Sequence, residues 1–213
     1  MQRTSQRWAL VIALTSFLLV GRGAVAYAGE PQELIQQTLE SLVAVLTDAS
    51  LQAPEQRQAQ RARIAQVVAQ SFDFAEMSRR SLEHHWHRLT PAQQQEFVQL
   101  FSDLLQQSLV ARIAYRAKTP TAGYGHVPSA VRYTGETIDP AGYASVQTAM
   151  TYEGDQATED IEYLLLRRDG TWKVYDVIAE GASMVTNYRT EFDKIIRQES
   201  YADLLKRLKL SQQ

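Results

Sequence analysis

The sequence predicts an α+β fold in which helices come first, an antiparallel sheet follows and helices end the chain. Two observations lead to this prediction. Between Pro31 and Thr119, apolar residues recur at helical spacings of three and four. Between Ala130 and Ala179 they alternate instead, in four stretches separated by turn residues. Because helices and strands are segregated along the chain, layers of each are favoured over alternating β/α units.

Residues 1–28 have the pattern of a secretory signal peptide. Arg3 and Arg7 precede an apolar run from Trp8 to Val20, and Ala26-Tyr27-Ala28 supplies the small residues of a cleavage site. We expect cleavage after Ala28, with cleavage after Ala26 as the alternative. The apolar run is too short to span a bilayer comfortably, so an uncleaved membrane anchor is less favoured. Residues 29–213 are then expected to form a single domain.

The composition excludes several classes of protein. The chain of 213 residues has a formal net charge of −2 and becomes more acidic without its first arginines, which argues against nucleic-acid binding. It contains no cysteine, so disulfides, metal-thiolate sites, thiol catalysis and a lipoprotein anchor are excluded. An exported, mildly acidic chain without cysteine suits the periplasm, the space between two bacterial membranes.

The first helical part is predicted to contain four segments, over residues 31–49, 55–71 and 74–87 and in a long helix after Thr90. Thr90-Pro91-Ala92-Gln93 combines an N-cap, a proline at the first helical position and a capping-box glutamine. The broad apolar face of the long helix consists of Phe97, Leu100, Phe101, Leu104, Leu105, Leu109 and Ile113.

The alternating part predicts two hairpins. Residues 130–137 and 143–152 flank Asp139-Pro140-Ala141-Gly142, which suits a type I turn. Residues 161–168 and 171–179 flank Asp169-Gly170, which can adopt the positive φ angles of a tight turn. We expect a strongly curved, four-stranded antiparallel sheet, similar to the cone of nuclear-transport-factor-like (NTF2-like) proteins with extra helices. Two further helices are predicted, capped by Ser183 and Ser200.

His84-His85-Trp86-His87 is the densest group of candidate metal ligands. Positions 84 and 87 would share a helical face. A zinc site needs about three or four protein ligands, and His126 is the only other histidine in the sequence. We therefore favour an aromatic anchor, Trp86, surrounded by solvated histidines over a metal site.

Asp176 and Glu180 are the candidate catalytic groups, because a carboxylate in an apolar sheet can abstract protons, as in small cone-shaped isomerases. No second catalytic group stands near Asp176 in the sequence, and a helix N-terminus or Arg189 can satisfy its charge. Ser183 lacks the second glycine of a nucleophile elbow. We expect no catalytic residue, no cofactor and no enzyme activity, with an isomerase or hydrolase that uses Asp176 as the alternative.

Several short motifs occur in a recognisable order. They are Phe72-Asp73-Phe74 with Met77-Ser78, then Trp86 with Leu89-Thr90-Pro91 and residues 94–97, and above all the run from Trp172 to Ser183 with Asn187-Tyr188-Arg189 and Phe192. In order and spacing they resemble the MlaC family of periplasmic phospholipid-binding proteins, also called toluene-tolerance proteins. The resemblance covers nearly the whole chain after the signal peptide. The histidines around Trp86 depart from the family pattern, which has more ordinary polar residues there.

The resemblance implies a periplasmic carrier that binds phospholipid acyl chains in an apolar cavity. Such a carrier moves lipid between an outer-membrane lipoprotein complex and an inner-membrane ABC transporter complex, in support of outer-membrane lipid asymmetry. Phospholipid is then cargo and not a cofactor. A related subgroup is associated with hopanoid pathways, so a hopanoid-associated lipid-binding protein is an alternative. We expect a monomer.

Candidate lipid-binding residues follow from strand alternation and from the inward stripe of the long helix. They are Phe97, Phe101, Leu105, Met150, Leu165, Val174 and Ile178. The sequence leaves open which face of the sheet points inward, and a shift of one position exchanges Leu165 for Leu164 and Val174 for Tyr175. The head group is expected at the cavity mouth, because the sheet carries no basic cluster to pair a buried phosphate.

Overall fold

The computed structural model describes residues 30–116, 127–152 and 158–211, and the predicted signal peptide lies outside them. Within the described residues, four α-helices precede one antiparallel sheet and two α-helices follow it. The predicted α+β class is therefore confirmed. In this part of the chain, every helix is too short or too polar to cross a membrane.

The helices begin and end close to their predicted positions. They are α1 (Glu30–Thr47), α2 (Arg57–Ser71), α3 (Phe74–Leu82), α4 (Pro91–Arg116), α5 (Met184–Gln198) and α6 (Tyr201–Leu210). The segment predicted as one helix over residues 74–87 is divided, because Glu83 has a φ of 46° and ends the α-helix. A 3-10 helix, Glu83–Arg88, follows and is called the histidine helix below.

The predicted helix caps are present as hydrogen bonds. Before α4, the Thr90 N–H donates to Gln93 Oε1 at 2.9 Å and the Gln93 N–H donates to Thr90 Oγ1 at 3.3 Å. Asp73, Ser183 and Ser200 accept the N–H three residues ahead at the starts of α3, α5 and α6. These bonds satisfy donors that a helix leaves without partners, so local sequence is enough to define where these helices begin.

The sheet is an antiparallel meander in chain order. Its strands are β1 (Pro128–Asp139), β2 (Tyr143–Tyr152), β3 (Thr158–Arg168), β4 (Thr171–Ala179) and β5 (Ala182–Ser183). The four predicted strands are therefore present, and β5 adds a two-residue fifth strand beside β4. Asp169 and Gly170, with φ of 51° and 79°, form the predicted tight turn between β3 and β4.

A β-bulge in β4 decides which of its residues face α1. The pairing of β3 with β4 shifts between Leu164 and Leu165, where β4 carries one extra residue. On either side of the shift, Leu165 pairs with Val174 and Tyr163 pairs with Val177. Leu165 and Tyr163 share a face because they are two residues apart. Val174 and Val177 therefore share that face as well, although they are three residues apart.

Three packed regions hold the described elements together, and one of them joins Ile64 and Val68 of α2 to Val110 and Ala114 of α4. Another, called the aromatic core below, lies among α3, α4, α5 and α6. There Phe101 packs edge-to-face against Tyr188 and Phe192, with ring centroids 4.9 Å apart in both pairs. The third lies between α1 and the sheet. There the Trp172 indole N–H donates to Glu30 Oε2 at 3.1 Å and ties the start of α1 to β4.

Candidate functional site

A cavity of about 700 Å³ lies between α1, the second half of α4, the start of α5 and the sheet. Ligand pockets in proteins are roughly 300 to 1,000 Å³ and mostly apolar. The helices contribute Leu39, Leu42, Val43, Leu46, Leu109, Ile113, Met184 and Tyr188 to the wall, and the sheet contributes Val131, Met150, Tyr152, Ile161, Tyr163, Val177 and Ala179. The size and lining are those of a site for an apolar ligand.

The apolar stripe of α1 changes its surroundings along the helix. Ile35 is 1% exposed and packs against the sheet. Leu39, Leu42 and Leu46 continue the stripe but are only half-buried, and they line the cavity. The sequence shows this stripe without showing what it faces. These leucines were therefore missed as candidate ligand contacts.

The stripe of α4 shows the same change. Phe97, Phe101 and Leu105 are 0%, 0% and 1% exposed and belong to the aromatic core. Leu109 and Ile113 follow one and two turns later, are half-buried and line the cavity. The three predicted lipid-binding residues on α4 therefore pack against other side chains, and the cavity wall begins one turn beyond them.

The predicted lipid-binding residues of the sheet are divided between two environments. Met150 lies on the cavity wall. Leu165 and Val174 are 0% and 1% exposed and pack in the cluster beneath α1. Ile178 lies on the face opposite its neighbour Val177, which is on the wall. Simple alternation predicts that Val174 and Ile178 share a face of the sheet. Because of the bulge in β4, Val174 shares its face with Val177 instead. Lipid contact at the seven predicted positions stays a prediction.

Polar groups occur at two depths in the cavity. Inside, the Tyr152 hydroxyl donates to Glu159 Oε2 at 2.9 Å, and both residues are buried. Burial raises the pKa of the Tyr163 hydroxyl, which therefore stays neutral. Arg112 and Glu191 are exposed and lie at the rim. Among the described wall residues Arg112 is the single cation, so the rim has one group that favours an anion.

Asp176, the candidate catalytic carboxylate, joins the sheet to α5. Its Oδ1 accepts the N–H groups of Val177 at 2.8 Å and Val185 at 3.0 Å, and its Oδ2 accepts the Ser183 hydroxyl at 2.6 Å. Val185 lies in the first turn of α5, where a carboxylate is stabilised by the helix dipole. Asp176 is absent from the described cavity wall, whereas the exposed Glu180 lies at its rim.

The histidine helix contacts α5 through two of its three histidines. His85 Nε2 is 2.9 Å and His84 Nε2 is 3.6 Å from Asp193 Oδ1. Trp86 packs against the aromatic core as expected, and His84 and His87 are exposed. The expectation of solvated histidines is wrong for His85, which is buried against α5. His126 lies outside the described residues. The sequence suggested positions 84 and 87 as a pair, but the fold brings 84 and 85 to a carboxylate 108 residues away from His85, which no local pattern indicates.

These features define an α+β protein with an open antiparallel sheet and an apolar ligand cavity. The family model described as MlaC protein matches residues 36–210, so the chain belongs to the MlaC family, as its motifs indicated. The chain is also similar in structure to a phospholipid-binding protein from Ralstonia solanacearum, solved in complex with a phospholipid. The TM-score is 0.67 at 19% identity, covering 85% of this chain and 96% of that one, which shows a shared fold.

Proposed function

We propose that this protein is a periplasmic lipid carrier that holds the acyl chains of a phospholipid in the cavity between α1, α4 and the sheet. The observation that carries the proposal is an apolar cavity of about 700 Å³ in a member of the MlaC family. The similar protein from Ralstonia solanacearum binds a phospholipid, which supports the same class of ligand here.

The acyl chains lie against the half-buried apolar wall. Leu42 and Leu46 of α1 contact them from one side, and Ile161 and Val177 of the sheet contact them from the other. Burying the two chains of a phospholipid away from water is worth on the order of 20 kcal/mol, at roughly 0.8 kcal/mol per methylene. This hydrophobic free energy keeps the lipid bound while the carrier is surrounded by water.

The head group lies at the rim. There its phosphate keeps its water, because burying its charge would require a paired cation, and the one cation among the described wall residues lies at the rim. Arg112 is exposed at this rim and attracts the phosphate that all phospholipids share. Selectivity among head groups is therefore weak, whereas the volume of the tails matters.

Exchange with membranes needs no nucleotide in this protein. The hydrophobic gain that holds the lipid against water nearly cancels against a bilayer, since the tails were already in hydrocarbon. The carrier therefore loads and unloads at membrane complexes that supply the direction. These are an outer-membrane lipoprotein complex and an inner-membrane ABC transporter complex, reached by a monomeric domain that a cleaved signal peptide exports to the periplasm.

Catalysis is not part of the proposal. The three hydrogen bonds that Asp176 accepts occupy both of its oxygens and cap α5, which accounts for a buried carboxylate in this sheet. An isomerase or hydrolase would instead need this group at the cavity surface, in reach of a substrate.

Organic extraction of the natively purified protein, followed by mass spectrometry, tests the proposal. We expect close to one phospholipid per chain. A hopanoid at the same stoichiometry would keep the carrier and change its cargo. A reproducibly empty protein, or turnover of a small substrate that Asp176→Asn abolishes, would contradict the proposal.

A further inference from the structure

We propose that His84, His85 and Asp193 bind a divalent transition-metal ion of the Zn²⁺ type. The two histidines come from the histidine helix and the carboxylate from the middle of α5. One ligand atom of each residue lies within 4.8 Å of the other two. This group is separate from the lipid cavity, and the proposal does not depend on lipid binding.

The distances suit a tetrahedral ion. Zinc bonds to nitrogen and oxygen are about 2.0 to 2.1 Å long, so adjacent ligand atoms of a tetrahedron stand roughly 3.3 Å apart. The His85 and His84 Nε2 atoms lie 2.9 Å and 3.6 Å from Asp193 Oδ1, on either side of that value. Small side-chain rotations therefore bring the three atoms around one ion.

The donor set selects the class of metal. Two imidazoles and one carboxylate suit Zn²⁺, Ni²⁺ and Cu²⁺, whereas Mg²⁺ and Ca²⁺ prefer sites made of oxygen. The side chains of His84 and Asp193 are 47% and 27% exposed, so water can reach the site and supply a fourth ligand. A proton on His85 Nε2 has to leave before this atom can bind a metal ion.

Two neighbouring charges act on the ligands in opposite ways. Arg197 Nε donates to Asp193 Oδ1 at 3.0 Å, so its positive charge and its hydrogen bond compete with a metal ion for this oxygen. Glu83 Oε2 lies 3.9 Å from His84 Nδ1, the ring nitrogen that would not bind the metal. A carboxylate near the second nitrogen of a ligand histidine is a common arrangement around protein-bound metals.

Metal binding would join two separate parts of the fold. The histidine helix follows α3 in the chain, whereas α5 follows the sheet. Two residues of α5, Met184 and Tyr188, line the cavity. An ion held by both segments binds the native state more tightly than the unfolded chain, in which only the neighbouring histidines stay together. Zn²⁺ should therefore raise the Tm of the protein, and Mg²⁺ should leave it unchanged.

The test is a titration of the full chain, purified without a histidine tag and stripped of metal with a chelator. Calorimetry with Zn²⁺ should give one ion per chain, and Co²⁺ should give the visible absorption of a low-symmetry complex. His85→Gln and Asp193→Asn should each weaken Zn²⁺ binding by about tenfold or more. His87→Gln is the matched control, since His87 is exposed on the same short helix outside the cluster, and it should bind as the wild type does.

Arg197→Gln should change binding in the opposite direction. It removes a positive charge and a hydrogen bond that both compete with the ion for Asp193, so Zn²⁺ binding should become tighter. This variant and Asp193→Asn keep the test valid if His85→Gln does not fold. The assignment is overturned if the wild type fails to bind Zn²⁺, if His87→Gln loses as much affinity as the ligand variants, or if Arg197→Gln binds no more tightly.

Discussion

The two halves of helix α4 lie in different surroundings, a packed core and an open cavity. Its first half supplies Phe97 and Phe101 to the aromatic core, where both are 0% exposed, and its second half supplies Leu109 and Ile113 to the wall of the cavity. The stripe is equally apolar in both halves. α3, α5 and α6 close over the first half. In the second half Val110 and Ala114 pack against α2, whereas Leu109 and Ile113 face α1 across the cavity. An apolar stripe therefore predicts a buried face, and the neighbouring elements decide whether that face is packed.

The largest expected effect is a cavity made in the packed half. Phe101→Ala should lower the free energy of unfolding by about 3 to 5 kcal/mol, because a fully buried ring is removed from three aromatic contacts. Leu109→Ala, two turns further on, should cost less than about 2 kcal/mol, since this side chain already borders a cavity. Urea unfolding measures both. Equal losses would mean that the two halves are packed alike.

Helix α3, which packs against the first half of α4, contains a buried charge. Glu76 is 3% exposed and accepts hydrogen bonds from Arg79 at 2.5 and 2.8 Å and from Arg80 at 2.7 Å. Burial alone raises the pKa of Glu76, but the hydrogen bonds from Arg79 and Arg80 outweigh it and lower the pKa to about 2. Glu76→Gln should cost about 1.5 to 3 kcal/mol, because charged hydrogen bonds are replaced by weaker neutral ones while the partly exposed arginines keep water around them.

The pH dependence of stability follows from the same group. Because the pKa of Glu76 is lower in the folded protein than the ordinary 4.5, its contribution is complete above about pH 4.5 and is lost as the pH falls toward about 2. Urea unfolding at several pH values between 6 and 2 should show a smaller loss for Glu76→Gln than for the wild type. Parallel curves for the two proteins would contradict this account.

A tryptophan placed at two positions of β4 separates the core from the cavity. Val174 and Val177 share a face, but Val174 is 1% exposed in the core beneath α1 whereas Val177 lines the cavity. Val174→Trp should cost about 1 to 3 kcal/mol or more, because it overfills a packed core. Val177→Trp should cost less than about 1 kcal/mol and displace lipid, since its ring enters the space that the tails use.

Urea unfolding measures the stability of both tryptophan variants, and extraction followed by mass spectrometry measures the lipid that each retains. The original sequence-based choice of Val174 as a lining residue predicts the reverse, with lipid lost from a stable Val174→Trp protein. Full lipid content in a folded Val177→Trp variant would count against the cavity as the lipid site.

The features that the sequence predicted well are those with local causes. Thr90 and Ser183 mark helix starts through bonds to residues three positions ahead, and Asp169-Gly170 marks a turn through its own φ angles. The extra residue in β4 has no such signature, since it depends on how β3 pairs with it. Because of this one bulge, Val177 lies on the cavity face of the sheet, where simple alternation predicted Ile178.

The candidate site was less predictable than the fold. Leu42 and Leu46 were visible as part of an apolar stripe, but only the positions of α4 and the sheet show that they face a cavity. The same holds for Asp193, which reaches the histidines through the packing of α5. In these cases the sequence shows whether a side chain is apolar or can bind a metal ion, but it does not show which residues that side chain faces in the folded protein.

The smallest expected effect is at the rim. Arg112→Ala should change the free energy of unfolding by less than about 0.5 kcal/mol, because Arg112 is exposed. It should weaken lipid binding only a few-fold, since an exposed ion pair is worth about 0.2 to 1 kcal/mol. Transfer of fluorescent phospholipid from vesicles measures the change. Complete loss of lipid would instead indicate a head group that is buried against this arginine.

The position of the acyl chains is the central claim, and photo-crosslinking tests it most directly. A phospholipid with a diazirine near the end of one acyl chain is loaded into the wild-type protein and activated, and the adducts are located by peptide mass spectrometry. The proposal predicts adducts at residues 39–46 of α1, at Leu109 and Ile113 of α4 and at Ile161 and Val177 of the sheet. Adducts concentrated at Phe97, Phe101 and Leu105 would contradict it.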